Sequence, residues 1–218
     1  MAADWTKRDT LLVVGICTGV ALVIGAYGLF IRHEQAKGLD FVERETAAAA
    51  AARDIASDAE LSRAEINFVS SNGHIELPRK PMGSRDKHDL GIRFFFVSPK
   101  LAGAPPKGQL GGWAQAGNAA GAGCMIEVDA FGPGTRGHDN LRVRQRDDSC
   151  GESMPTPPQC TLAQVWSAAI AKGAPRDALA DIRLAQHDGK RRWDFAITDW
   201  NTSSMPVFQV AIDDACPP

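Results

Sequence analysis

The sequence predicts an α+β protein: a single N-terminal transmembrane helix, a helical stalk, and an exterior domain of antiparallel strands ending in a helix packed on a three-stranded sheet. Three observations predict it. Leu11–Ile31, LLVVGICTGVALVIGAYGLFI, carries no charged residue. Residues 39–63 are dense in alanine and other strong helix formers. From Ile66 onward, short apolar stretches alternate with turn signals, and four cysteines are spread among them. The expected segments are a cytoplasmic tail over 1–10, the anchor over 11–31, the stalk over 32–63, an exterior strand region over 64–150 and a C-terminal unit over 151–218.

The anchor comes first. Twelve residues of Leu11–Ile31 are Leu, Ile, Val or Phe. As a helix rising about 1.5 Å per residue, the stretch spans about 31 Å, close to the hydrocarbon thickness of a bilayer. The apolar run is longer than that of a cleaved signal peptide, and Ile31-Arg32-His33-Glu34 is a poor cleavage context. Ile16 before Cys17 likewise departs from a lipoprotein site. The reading is an uncleaved anchor in the lipid bilayer. Gly15, Gly19 and Ala26 share one side of it, where small residues admit the transmembrane helix of a partner subunit.

Charge gives no firm orientation, because Lys7 and Arg8 precede the anchor while Arg32, Lys37 and Arg44 follow it. The cysteines do better. Cys124, Cys150, Cys160 and Cys216 lie beyond the anchor, an even number that fits two disulfides and an oxidising compartment. This places the N-terminus in the cytoplasm and the remainder in a periplasm, as a single-pass inner-membrane protein.

Within the exterior part, Leu39–Arg63 reads as a helix with a weakly apolar face of Phe41, Ala48, Ala52 and Ile55. Ile66–Leu77 contains Asn72-Gly73, a hairpin turn signal. Gly91–Ser98 and Met125–Phe131 read as strands, the latter with Ile126 and Val128 on one side. Leu101–Gly123 is a long Gly/Ala/Pro-rich loop, and its Trp113 is the candidate partner contact. Leu141–Arg146 alternates Leu141 and Val143 against Arg142, Arg144 and Arg146, as a half-exposed strand does.

The last segment has the clearest pattern. Thr161-Leu162-Ala163-Gln164 matches a capping box, and Leu162, Val165, Trp166, Ala169 and Ile170 follow at helical spacing up to Gly173. Strands follow at Ile182–Gln186, Arg192–Ile197 and Val207–Ile212, with a turn at Asp188-Gly189. Cys160 stands before the helix and Cys216 after the last strand. A bond between them closes most of this unit and leaves Cys124–Cys150 as the other pair, although the sequence leaves other connectivities open. The pattern CTLAQVW, GAP, IRLAQHDGKRRWDFAI resembles PepSY-like periplasmic domains over Cys160–Cys216. That resemblance implies association with another protein and carries no catalytic residue across.

Motifs for chemistry are sparse. Walker, HExxH, GxSxG and CxxCH patterns are absent. One GxGxxG match, Gly132–Gly137, is followed by strand-like LRVRQR where a dinucleotide site needs a helix. The five histidines are scattered, and a calcium reading of Gly132–Asn140 lacks regular ligand spacing. Asp147-Asp148, Asp177 with Asp181, and Asp213-Asp214 are the carboxylate clusters, and no pattern sets one in an apolar pocket. A net charge of −2 gives no basic footprint for nucleic acid.

The sequence therefore leads to no catalytic residue, metal or cofactor. It leads to a non-catalytic, single-span accessory subunit of a larger membrane complex, of the respiratory or photosynthetic kind, with exterior protein surfaces as partners. The alternative is a membrane-tethered binding or inhibitory module; an envelope enzyme comes last.

Overall fold

The computed structural model describes residues 16–29, 39–76, 91–102, 123–131, 140–146, 150–198 and 205–216. The chain divides into two compact units, Met1–Lys37 and Gly38–Pro218.

In the first unit, residues 16–29 are helical (α1) and all exposed. Among the described residues no helix is long and apolar enough to cross a membrane. The described helical residues 16–29 account for about 21 Å at about 1.5 Å per residue, against the roughly 30 Å of a bilayer core. This overturns the expected single-pass anchor over 11–31. The inner-membrane location, and the placing of the rest of the chain across that membrane, fall with it. Uncharged composition measured apolar character over a segment whose described helix is shorter than the pattern. Gly19 and Ala26 lie on α1, with open space around Gly19, while Gly15 lies outside the described residues.

The expected stalk over 32–63 is also corrected. Its helix, α2, is Phe41–Ile55, and Glu60 already begins strand β1. Asp40 caps α2 by accepting a hydrogen bond from the Glu43 backbone N–H at 2.8 Å. Phe41, Ala48 and Ala52 are buried. The weakly apolar face is therefore the inner side of a packed helix, because alanines let it sit close to the sheet.

The second unit holds a seven-stranded antiparallel sheet ordered β4-β3-β2-β1-β5-β6-β7. Its strands are β1 Glu60–Val69, β2 Ile92–Val97, β3 Met125–Ala130, β4 Leu141–Arg146, β5 Ala180–His187, β6 Lys190–Thr198 and β7 Pro206–Asp213. Strand β1 pairs with both β2 and β5, so the strand region and the C-terminal segment share one continuous sheet. The C-terminal helix, α3, is Leu162–Ala171. Its capping box is formed: the Thr161 N–H donates to Gln164 Oε1 at 2.8 Å, and the Gln164 N–H donates to Thr161 Oγ1 at 3.2 Å.

Period-two alternation decides which side of the sheet is apolar. Ile66, Phe94, Phe96, Ile126, Val128, Ile182, Leu184, Trp193 and Phe195 form one core with Phe41, Ala48 and Ala52 of α2 and with Val165 and Trp166 of α3. Trp166 meets Phe195 edge-on at 4.8 Å between ring centroids, and Phe41 sits 6.0 Å from Trp193. The buried Trp166 indole donates to the Val69 carbonyl at 3.0 Å. Both helices thus cover the same face of the sheet.

Two cysteine pairs stand at bonding separation, Cys160–Cys216 with Cα atoms 5.0 Å apart and Cys124–Cys150 at 5.3 Å. Cys17 is free and exposed.

Candidate functional site

The side chains that alternate away from the core define the other face. In β3 these are Met125, Glu127 and Asp129. Their register partners in β4 are Arg146, Arg144 and Arg142, and in β2 Val97, Phe95 and Arg93. One strand further on, Arg63 and Glu65 of β1 stand opposite Phe95 and Arg93. The pairing therefore lays a cross-strand arginine–carboxylate network over four strands.

Glu127 and Asp129 are its centre, with side chains 1% and 0% exposed. Two buried carboxylates on one strand are costly unless ion-paired and hydrogen-bonded. Here they are. Arg93 Nε lies 3.0 Å from Asp129 Oδ1 and 3.2 Å from Glu127 Oε1, and so ties the pair together. Arg142 Nη2 donates to Asp129 Oδ2 at 2.5 Å, Arg146 Nη1 donates to Glu127 Oε2 at 2.7 Å, and Arg144 bonds both carboxylates. Arg63 ion-pairs with Glu65 at 3.3 Å and stacks its guanidinium 3.8 Å above the Phe95 ring.

Five arginines meet three carboxylates in this network, which leaves it cationic. The Arg144 and Arg146 side chains remain 43% and 45% exposed, so positive charge of the network lies at the surface. The carboxylates, occupied by guanidinium donors, serve as anchors that hold the arginines flat. Such a surface can bind anionic oxygen groups with forked geometry.

A cleft of about 420 Å³ opens beside the network. Its floor includes Ser62, the extra residue at a register shift between Leu61 and Arg63 of β1. Its wall is the segment after Cys150, fixed by the Cys124–Cys150 pair and by a hydrogen bond from the Met154 N–H to the Leu61 carbonyl. The strap passes close to the floor at Gly151, where a Cβ would stand 2.8 Å from Ser62 Oγ and the hydroxyl would have to turn aside.

No family model, no curated protein and no solved structure matches this chain. The function must therefore be argued from this geometry.

The residues singled out from sequence fare unequally. Trp113 lies outside the described residues, as do Asp147-Asp148, His33, His88, His138 and the GxGxxG stretch. Asp177 is exposed and Asp181 half-buried on β5. Asp214 is buried and structural. It accepts hydrogen bonds from the Trp193 indole (2.9 Å), the Cys160 N–H (2.9 Å) and the Gln159 N–H (3.0 Å), and pairs with Arg191 at 3.1 Å. Its neighbour Asp213 is exposed. Among the described residues no group of three His, Cys, Asp or Glu could hold a metal ion.

Glu127 and Asp129 escaped the sequence reading. Two signals were present: MIEVDA alternates its acids against Ile126 and Val128, and LRVRQR alternates its arginines in the same period. What sequence could not supply was the register that sets one series opposite the other.

Proposed function

We propose that this protein is a non-catalytic interaction module, an accessory subunit that docks onto other proteins of a larger assembly in an oxidising compartment. The supporting observation is the face of the sheet opposite α2 and α3, where buried Glu127 and Asp129 pin a cationic, partly exposed arginine surface. Arginine in preformed, partly desolvated positions is a recurrent anchor at protein interfaces, because little side-chain freedom is lost on docking. The complementary partner surface is acidic. The two disulfides support the oxidising setting, where such bonds persist.

The test is isolation of the tagged full-length chain from its native cells at low salt, followed by a salt titration. The expected result is a defined partner in fixed stoichiometry that dissociates progressively as salt screens the contact. Recovery of the chain alone at low salt, or a partner indifferent to salt, contradicts this reading.

A further inference from the structure

We propose that the cleft beside the arginine network is a binding site for a carboxylate group. Its residues come from separate parts of the chain. Ser62 and Arg63 belong to β1, Arg183 and Gln186 to β5, and Gly151 and Glu152 to the disulfide-anchored wall. Arg63 stands opposite Ala185 in the β1–β5 register, so Arg183 is its diagonal neighbour on the same face. Diagonal positions in an antiparallel pair lie about 7–8 Å apart, so the Arg63 guanidinium, held by Glu65 and the Phe95 ring, borders the cleft and adds positive charge to it beside Arg183. Ala185 between them takes up little space.

Arg183 carries the argument. It is exposed on the face, yet among the described residues it has no ion pair. Its cross-strand partners in register, Glu65 and Asp194, are engaged elsewhere. Glu65 contacts Arg63 at 3.3 Å and Arg93 at 3.7 Å, and Asp194 contacts Arg192 and His187, each at 3.4 Å. A guanidinium with both local carboxylates taken keeps its forked donors for another anion. A hydroxyl from Ser62 and an amide from Gln186 add neutral donors to the lining of the same cleft.

The bulge gives the site its shape. The register shift places Ser62 on the floor instead of in the ladder, and bulges re-aim side chains in this way beside functional sites. The wall is held closed at Gly151, whose missing side chain allows the strap to pass against Ser62. At about 420 Å³ the cleft falls in the size range of small-ligand sites and leaves room for the end of an acidic side chain. Glu152 sits on the rim, so the occupant must reach past a negative charge; a planar carboxylate held in a guanidinium fork does this better than a dianionic phosphate or sulfate. This assignment stands apart from the docking reading, because a free carboxylate can fill the cleft with no partner protein present.

The experiment is a titration of the isotope-labelled full-length chain, followed by NMR at the Ser62, Gly151 and Gln186 amides. Three probes are used at matched ionic strength: succinate, a blocked tri-glutamate peptide, and sulfate. Saturable shifts with succinate or the peptide, and none with sulfate, are expected. Whichever of the two binds tighter tells whether a small molecule or a protein side chain is the natural source. Arg183→Gln should weaken the better probe by about tenfold or more, and Arg183→Lys, which keeps the charge without the fork, by a similar order. Arg176→Gln, on an exposed segment after α3, should leave affinity unchanged. The proposal is overturned by non-saturable shifts, by sulfate binding as well as the carboxylates, or by folded Arg183 variants that bind as the unsubstituted chain does.

Discussion

Asp214 shows how much one side chain can hold. Its two oxygens accept from the Trp193 indole, from the N–H groups of Gln159 and Cys160, and from Arg191. It therefore joins the end of β7 to the start of α3. Asp214→Ala leaves these donors buried and unmet, and should cost about 3–5 kcal/mol in urea unfolding. Two other carboxylates carry pH signatures of opposite sign. Burial raises the pKa of Glu45 on α2 above its ordinary value. The folded state therefore favours its protonated form, and the resulting stability is lost as pH rises through the folded pKa. Glu45→Gln should accordingly raise the melting temperature near neutral pH and change little in acid. The pKa of Asp58 is lowered, first by the Ser98 hydroxyl that donates to it at 2.6 Å, with a contribution from Lys100. Its contribution is present above the ordinary aspartate range and lost as pH falls through the folded pKa. Asp58→Asn should lower the melting temperature at neutral pH, and that deficit should vanish towards about pH 3.

At the level of elements, what could be read from sequence followed local physics. The capping box at Thr161 and Gln164 is formed as its spacing indicates, and removal of the hydroxyl by Thr161→Ala should cost about 1 kcal/mol in thermal or urea unfolding. The turn at Asn72-Gly73 has Gly73 at φ +83°, and a Cβ there would meet the Ala163 backbone nitrogen at 2.7 Å. Strands β4, β6 and β7 lie where alternating residues put them. Elements whose identity rests on distant contacts were less legible. Residues 56–63 look helical by propensity, yet Leu61 and Ala64 are buried beside β2, and pairing wins over local preference. The role of α2 was equally hidden: alanines specify closeness to something, and only the tertiary fold says that it is β2 and β3. The candidate site was half visible. Its arginine series stands out in LRVRQR, but its buried acids do not, because a buried carboxylate cannot be told from an exposed one until its partner strand is known.

Across the whole molecule, one sheet spans residues that the sequence assigns to separate regions, and two cystines brace it. Cys160–Cys216 closes a separation of 56 residues and Cys124–Cys150 one of 26. In the loop-entropy description these correspond to about 4 and 3.5 kcal/mol, so loss of both bonds by reduction should lower the urea midpoint sharply. The wall of the carboxylate cleft should loosen first when Cys150 is released. The broader account stands on the arginine face, opposite α2 and α3, as a docking surface, and it meets its most direct test in a pair of neutralising substitutions. Arg144→Gln with Arg146→Gln removes two positive charges from the face and keeps amide donors at both positions, while Arg93 still contacts both Glu127 and Asp129. Partner recovery from native cells should be measured against the unsubstituted chain, with melting curves taken in parallel. A loss of about tenfold or more in partner affinity, with the folded state retained, is the predicted result. Undiminished recovery of the same partner by the folded double variant would contradict the account.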